Sequence, residues 1–384
     1  RRISADPAEV ITGSDVVVLV LPAFAHESTL RQIVPFLDEG AWVGAMPARG
    51  GFDYCAAQVL AEHGRDDVGL FGLQTLPWAC RIGEYGQVVH VLGVKNVVDV
   101  ATRPAGVSSS AFRVSSSFSS KLRTRNSKLP MREGEQAAPF PNKLGTPVCP
   151  LLERMLGVPI GMAANMLALT LANTGQLIHP GIMYDLFADW DGTPFRADDV
   201  PLFYQGLSEE GAQMLAGLSD DVQAIRAELV RWSLVGWSSG LWSGSHSDHS
   251  PVRPSDYSTI RPLRAWLLRA YGDAIADPSS LRSAFVTNRA YAGLKAPVRE
   301  VSPGQFIPDF RARYLAEDVP FGLAVSRAIA SLAGVETPTM DKVIAWAGAQ
   351  LGKDYLGRDA GEARIPQKYG LGSVEQLIEF VARG

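Results

Sequence analysis

The sequence predicts an α/β protein in which a doubly wound parallel sheet at the N-terminus is followed by an all-α C-terminal domain. Short apolar runs alternate with segments of helical period over residues 16–71. Beyond about residue 150 the apolar residues recur at helical spacing. The chain has 384 residues, 46% of them apolar, which is enough for two domains with their own cores.

The predicted sheet begins with a strand at Val16–Leu21. This run is wholly apolar, as is typical of a strand buried on both faces of a parallel sheet. Helices and strands then alternate as in a doubly wound fold: a helical segment at 23–37, a strand at Ala41–Met46, a helix at Phe52–His63 and a strand at Val68–Phe71.

Ligands of such sheets bind beside the loops that leave the carboxyl ends of the strands. No G-x-G-x-x-G loop occurs in the sequence, and one Gly-Gly pair is too common a feature to replace it. If the sheet binds a dinucleotide, we expect its first βαβ unit upstream of Arg1. The candidates for contact with a cofactor are therefore the loop residues Pro22, Ala23, Phe24, Gly50 and Gly51.

The C-terminal part is predicted to be helical. A long apolar stretch at Met155–Ala172 indicates one helix, and Ser208 is a candidate N-cap of another. Thr337 and Ser373 begin two more, the first followed by proline and the second opening a capping box. We expect a sheet domain at residues 1–149, a helical domain at residues 150–384 and a ligand cleft between them.

Two serine-rich segments, at about 108–128 and 237–258, have no apolar period and are interpreted as flexible insertions. The less favoured alternative for the first is an arm that binds phosphate or RNA. The second contains His246 and His249, but it has no helical pattern and offers no third ligand. The sequence therefore predicts no metal site.

Composition excludes several classes of protein. A formal net charge of −4 argues against nucleic acid as a main partner, and the apolar runs are too short to span a bilayer. Three cysteines without metal spacing fit a reducing compartment. The charged start of the chain predicts no signal peptide. We therefore expect a soluble cytoplasmic protein.

Two segments carry residues suited to acid–base chemistry. Pro180 disfavours the α region for His179, so we expect the imidazole at a helix end, although a capping turn explains the same pattern. Arg313 could bind a carboxylate in fork geometry, and Asp318 could orient a histidine. Alternatively, Asp318 caps the next helix and Arg313 is solvated. Spacing alone does not choose between these interpretations.

Six motifs in this order resemble the opine dehydrogenase family of octopine/nopaline type. They cover most of the chain outside the serine-rich segments, and the resemblance is strongest with the animal octopine dehydrogenase branch. The motifs are Leu76–Arg81 with Glu84–Gly86, Ile178–Gly181 with Phe203-Tyr204, Thr287-Asn288 with Tyr291, Arg313–Gly322, Thr337–Asp341 and Pro366–Gly370.

The resemblance implies a Rossmann domain, partial in residues 1–149, and a helical substrate domain. It implies an enzyme dependent on NAD or NADP that joins the amine of an amino acid to the 2-oxo carbon of an α-keto acid, usually pyruvate. The cofactor then reduces the imine. His179 matches the family's general acid/base, Asp318 its carboxylate partner and Arg313 the residue that holds the keto-acid carboxylate.

The resemblance further implies that Cys80, Gln74 and Arg49 line the substrate cleft. Two of them depart from the family pattern: Arg49 stands where a glutamine is expected, and Gln74 where an acidic residue is plausible. The second change would remove a charge that could meet an arginine substrate, so octopine specificity stays open.

Two alternatives remain at this stage. The missing glycine-rich loop would suit a non-catalytic relative that acts as a binding or scaffold protein. The second alternative is a keto-acid reductase that needs no amine. The sequence does not choose the amino acid, nor NAD over NADP, and we expect a monomer or a small homo-oligomer.

Overall fold

The computed structural model describes residues 2–106, 148–238 and 252–382 of the chain. We call the part that ends at Met162 the first lobe. Its elements are α1 (Pro7–Ile11), β1 (Val16–Leu19), α2 (His26–Ile33), β2 (Trp42–Ala45), α3 (Phe52–Glu62), β3 (Gly69–Leu73), β4 (Trp78–Glu84), β5 (Val88–Val94), β6 (Val98–Arg103), α4 (Val148–Leu156) and β7 (Ile160–Met162).

The main sheet has five strands in the order β1-β2-β3-β6-β7. The three strands predicted from sequence, β1, β2 and β3, pair in parallel, with Val16 opposite Trp42 and Val43 opposite Leu70. β6 runs antiparallel to β3, and β7 runs parallel to β6. The sheet is therefore mixed rather than wholly parallel, because the hairpin of β4 and β5 reverses the chain between β3 and β6.

The stretch Met155–Ala172 is not one helix, and that prediction is wrong. Gly157, with a φ of +63°, ends α4, and Pro159 precedes the short strand β7. Val158 packs in one cluster with Phe71 of β3. The first lobe therefore continues to about Met162, beyond the boundary expected at residue 149.

The second lobe is mainly helical, as predicted. Its elements are α5 (Met166–Leu171), α6 (Gly175–Phe187), β8 (Phe195–Arg196), α7 (Glu209–Ser238), α8 (Leu263–Tyr271), α9 (Leu281–Val286), β9 (Val298–Ser302), β10 (Gln305–Pro308), α10 (Arg313–Ala316), a π-helical turn (Val319–Leu323), α11 (Ala324–Ala333), α12 (Pro338–Leu351) and α13 (Val374–Ala382). The all-α prediction missed the small antiparallel sheet of β8, β10 and β9. Its strands are too short to show alternation.

Two of the predicted helix starts are seen as side-chain caps. The Ser208 hydroxyl accepts the backbone N–H of Gly211 at 2.8 Å, ahead of α7. Ser373 accepts that of Gln376 at 3.3 Å, ahead of α13. These bonds satisfy backbone donors that lack a partner inside the helix.

The two lobes approach closely at the turn before α3. The Gly50 N–H donates to the Phe321 carbonyl at 2.7 Å, and a Cβ on Gly51 would lie 2.5 Å from the Arg364 carbonyl oxygen. Asp99 of β6 forms ion pairs with Arg261 and Arg269 of the second lobe. The lobes are thus fixed to each other by backbone contact and by charge.

The serine-rich segment at 108–128, His246 and His249 lie outside the described residues. Within the ranges described, we find no helix with the length and apolar character needed to cross a membrane. The same ranges hold no group of three or more potential metal ligands.

Candidate active site

A cavity of about 340 Å³ opens between the lobes. It lies at the carboxyl ends of β2 and β3, where ligands of α/β sheets bind, and α6 with the segment around α10 forms its opposite wall. Five of the six residues expected to be catalytic or to bind substrate line it: Arg49, Cys80, His179, Arg313 and Asp318. His179 and Arg313, far apart along the chain, therefore converge on one cavity.

His179 is held by hydrogen bonds at both ring nitrogens. Its Nδ1 lies 2.8 Å from Asp318 Oδ2 and its Nε2 lies 3.1 Å from the Tyr204 hydroxyl. A carboxylate only accepts hydrogen bonds, so Nδ1 carries the proton and donates it to Asp318. This leaves Nε2 as the nitrogen that can gain or lose a proton. Burial raises the pKa of Tyr204 well above its usual range, so its phenol stays protonated.

Aromatic packing fixes the plane of the imidazole. The Tyr314 ring stacks on His179 with centroids 4.2 Å apart and an interplanar angle of 17°. Phe203 lies against both rings. A side chain held by a carboxylate and by a stacked ring has little rotational freedom, which suits a group that must meet one atom of a substrate.

His179 lies in the interior of α6, so the prediction of a helix end is wrong. Pro180 lacks the N–H that would bond the Gln176 carbonyl, yet the helix continues to Phe187. The Gln176 side chain donates to the Thr170 carbonyl and to the Ser326 hydroxyl, both at 3.1 Å. These bonds tie the start of α6 to α5 and α11.

Gly322 allows the segment that carries Asp318 to approach α6, which carries His179. A Cβ at this position would lie 2.5 Å from the Gln176 Cβ, so only glycine permits this approach of the π-helical turn to α6. In the turn the Leu323 N–H donates to the Asp318 carbonyl, five residues back. Such turns recur at functional sites, and this one follows directly on Glu317 and Asp318.

Arg49 is buried beside the same two carboxylates. Its Nε lies 3.3 Å from Glu317 Oε1, and its Nη1 lies 2.5 Å from Asp318 Oδ1. The second contact has an ion-pair distance but not the angle of a hydrogen bond, so we treat it as a charge contact. Asp318 is therefore shared between a guanidinium and the imidazole of His179.

Arg313 does not present its fork to the cavity. Its Nε and Nη2 lie 2.5 and 3.2 Å from the Glu317 carboxylate, whose hydrogen bond raises the pKa of Arg313. The side chain is half exposed and still lines the cavity. A ligand carboxylate can reach only the edge that carries Nη1. The fork geometry expected from sequence is thus taken by Glu317.

Gln74 lies behind the cavity wall rather than in it. The residue is 1% exposed; its amide nitrogen donates to the Ala172 carbonyl, and its oxygen accepts the Trp266 indole N–H at 3.2 Å. Trp266 is the residue that lines the cavity. Gln74 therefore positions an aromatic side chain, and both of its amide groups are already bonded.

The loop residues expected to contact a cofactor fall into two groups. Gly50, Gly51 and Ala23 are buried by the second lobe, and the Ala23 N–H donates to Glu317 at 3.3 Å. Phe24, by contrast, is 67% exposed beside the half-buried Pro22. An apolar ring at the carboxyl end of β1 is a surface that a nicotinamide or adenine ring can cover. Pro22 and Phe24 are therefore suited to contact a ring of a dinucleotide cofactor.

Several residues of this site could not be singled out from the sequence. Glu317 holds both arginines, yet beside Asp318 in a charged stretch it resembles a solvated acid. Tyr204 and Tyr314 appeared only inside family motifs. Lys95 and Trp266, which line the cavity, carried no local signal, because nothing in their surroundings distinguishes them from structural residues.

Comparisons with known proteins identify the family of this chain. A family model for the α-helical domain of NAD/NADP octopine/nopaline dehydrogenases matches residues 162–351. The chain is 34% identical over 388 residues to an opine dehydrogenase of Haliotis discus hannai, covering 99% of the chain and 81% of that protein.

Two solved structures of octopine dehydrogenase are also similar. One, with NADH and L-arginine, is 29% identical with a TM-score of 0.70. The other, with NADH and pyruvate, is 28% identical with a TM-score of 0.68. Each match covers 98% of this chain and 80% of the solved one.

Proposed function

This chain belongs to the opine dehydrogenase family of oxidoreductases, and from that membership we propose that it condenses an amino acid with an α-keto acid and reduces the imine. Pyruvate is the keto acid we propose, since a related octopine dehydrogenase is described with NADH and pyruvate. The observation that carries the proposal is the pair His179–Asp318 in the cavity between the lobes, with Arg49 and Arg313 beside it.

NAD or NADP supplies the hydride that reduces the imine carbon. Pro22 and Phe24 are the residues we propose to contact a ring of the cofactor, because Phe24 presents an exposed apolar surface at the carboxyl end of β1. Gly50 and Gly51 serve the contact between the lobes instead.

His179 acts as the general acid and base. The amine first adds to the 2-oxo carbon; the resulting hydroxyl must leave as water, and a protonated Nε2 supplies the proton for that step. In the reverse direction a neutral Nε2 takes the proton back. Asp318 holds the proton on Nδ1 and stabilises the imidazolium, while Arg49 keeps the carboxylate in place.

The arginines orient the keto acid. A carboxylate bonded directly to the reacting carbon must lie beside His179, and Arg313 offers its Nη1 edge there. Glu317 neutralises part of the charge of both arginines. A substrate carboxylate therefore binds to them less tightly than to unpaired arginines and can be released. Orientation of this kind lowers the barrier by placing the reacting carbon correctly.

We further propose a cytoplasmic location, since the three cysteines are free thiols, as a reducing compartment requires. The unit in solution is a monomer or a small homo-oligomer.

The direct test follows NADH oxidation by the purified protein with pyruvate and an amino-acid panel. We expect turnover only when both reactants are present. Oxidation without an amine would instead indicate a keto-acid reductase. Absence of both turnover and saturable NADH binding would indicate the non-catalytic relative.

A further inference from the structure

Lys95 places a buried positive charge in the cavity wall. The residue is only 6% exposed, and it follows β5 directly. Its Nζ donates to the Leu76 carbonyl at 2.6 Å and lies 5.1 Å from the centroid of the Tyr271 ring. In the part of the chain that the structure describes, no carboxylate lies within ion-pair distance of this ammonium.

This charge is costly unless a ligand compensates it. An ammonium has three donors, and the Leu76 carbonyl uses one. Burial of a charge without a counter-ion is strongly unfavourable. Arg49 and Arg313 in the same cavity already have carboxylate partners, and Arg81, which has none among the described residues, is exposed to solvent. Lys95 is therefore the buried cation of the described lining without a counter-ion. A buried ammonium in a cavity wall is the feature expected of an anion-binding site.

A chain of tyrosine rings separates Lys95 from His179. The Tyr271 ring below the ammonium contacts Tyr291, which stacks on Tyr204 with centroids 4.0 Å apart. The Tyr204 hydroxyl then bonds His179. A keto acid, whose carboxylate is attached to the reacting carbon, must lie at the His179 end. The anion at the Lys95 end therefore belongs to the other reactant.

We propose that Lys95 binds the acid group of the amine substrate, a carboxylate or a sulfonate, and so selects amines that carry one. This rests on the proposed function, whose keto acid fills the other end of the cavity. Every other cation of the lining repels a positively charged side chain, and the one carboxylate there, Asp318, is taken. The preferred amino acid then has an uncharged side chain.

Two lysine variants provide the test. Lys95→Met removes the ammonium but keeps the length of the side chain. Lys342→Met is the matched control, because Lys342 also lies over a tyrosine ring, that of Tyr184 at 5.2 Å, but outside this cavity. The amine reactants are L-alanine and ethylamine, which differ by one carboxylate, with taurine as the sulfonate.

We expect Lys95→Met to raise the KM for alanine at least about 10-fold, the loss typical of one charge-assisted hydrogen bond, and to leave the KM for pyruvate nearly unchanged. The preference for alanine over ethylamine should disappear, whereas Lys342→Met and Lys95→Arg should keep it. If the wild type uses taurine as efficiently as alanine, a sulfonate binds to Lys95 as well as a carboxylate does. An unchanged alanine KM, or a wild-type protein that uses ethylamine as well as alanine, would overturn the proposal.

Stability separates this proposal from a structural role of Lys95. Removal of an uncompensated buried charge should raise the melting temperature of the ligand-free protein, and a fall would contradict the inference. Turnover by the wild type with pyruvate and any amine upholds the proposed function even if Lys95 proves irrelevant. Failure of the function instead appears as no turnover with any amine.

Discussion

At the scale of single residues, the site depends on the different hydrogen-bond partners of the two ring nitrogens of His179, Nδ1 and Nε2. Asp318 fixes the proton on Nδ1, and Tyr204 lies at Nε2. The sequence predicted the partnership of His179 with Asp318 only through family motifs, because the two are distant along the chain. It could not predict Glu317, whose importance comes from burial between two arginines.

We expect His179→Asn to lower kcat/KM for the amine substrate by about 10²- to 10⁴-fold, the usual contribution of a general acid or base. His63→Asn is the control, because its Nδ1 also makes a hydrogen bond of 2.8 Å, to the Val59 carbonyl, but outside the cavity. Steady-state kinetics with saturating pyruvate checks this. Near-normal turnover by the His179 variant would remove that residue from the mechanism.

At the scale of elements, the site exists because α6 and the π-helical turn pack without a side chain between them. Sequence patterns located α3, α7 and α12 well, since their apolar spacing is regular. The patterns failed for Met155–Ala172, because this apolar run contains β7, the last strand of the main sheet, as well as helical turns. They also failed at Pro180, because surrounding packing tolerates a proline inside α6.

Gly322→Ala tests this close approach. The new Cβ would lie 2.5 Å from the Gln176 Cβ, so one of the two segments must move. We expect a loss of about 1–3 kcal/mol in the free energy of unfolding, as for an overpacked core, and a fall in kcat as Asp318 shifts from His179. Gly272→Ala is the control, since its Cβ would meet nothing within 4 Å. Equal stability and kcat in both variants would argue against this role of Gly322.

At the scale of the whole molecule, the two lobes are joined by buried polar groups whose partners lie too far apart along the chain to be paired from sequence. The sequence suggested that Gly50 and Gly51 form a turn that contacts a cofactor, but in the structure they pack closely against the second lobe. His26, the first residue of α2, is fully buried. Contacts between distant segments decide both cases, and no local pattern reports them.

Buried ionisable groups make the stability of the molecule depend on pH. Burial raises the pKa of Asp53 from 3.8 to about 6, so the unfolded chain releases this proton at lower pH than the folded one. The stability contributed by neutral Asp53 is thus full below about pH 3.8 and is lost as the pH rises through about 6, by about 3 kcal/mol in total. Burial lowers the pKa of His26 from 6.5 to about 4, which gives the opposite slope.

Asp53→Asn isolates the first effect. We expect the stability of the wild type minus that of the variant to fall by about 2 kcal/mol between pH 4 and 6, while His26 cancels from the difference. Urea unfolding at several pH values measures it. A difference that is constant across this range would show that Asp53 is not held in its neutral form by burial.

The chemistry of the product tests the central claim most directly. Alanine labelled with heavy nitrogen is incubated with pyruvate, NADH and the purified protein, and the products are identified by mass spectrometry. We expect a secondary amine whose labelled nitrogen joins the two carbon skeletons, formed at least about 100-fold more slowly by His179→Asn. Lactate as the only reduced product, with all the label still in alanine, would contradict it.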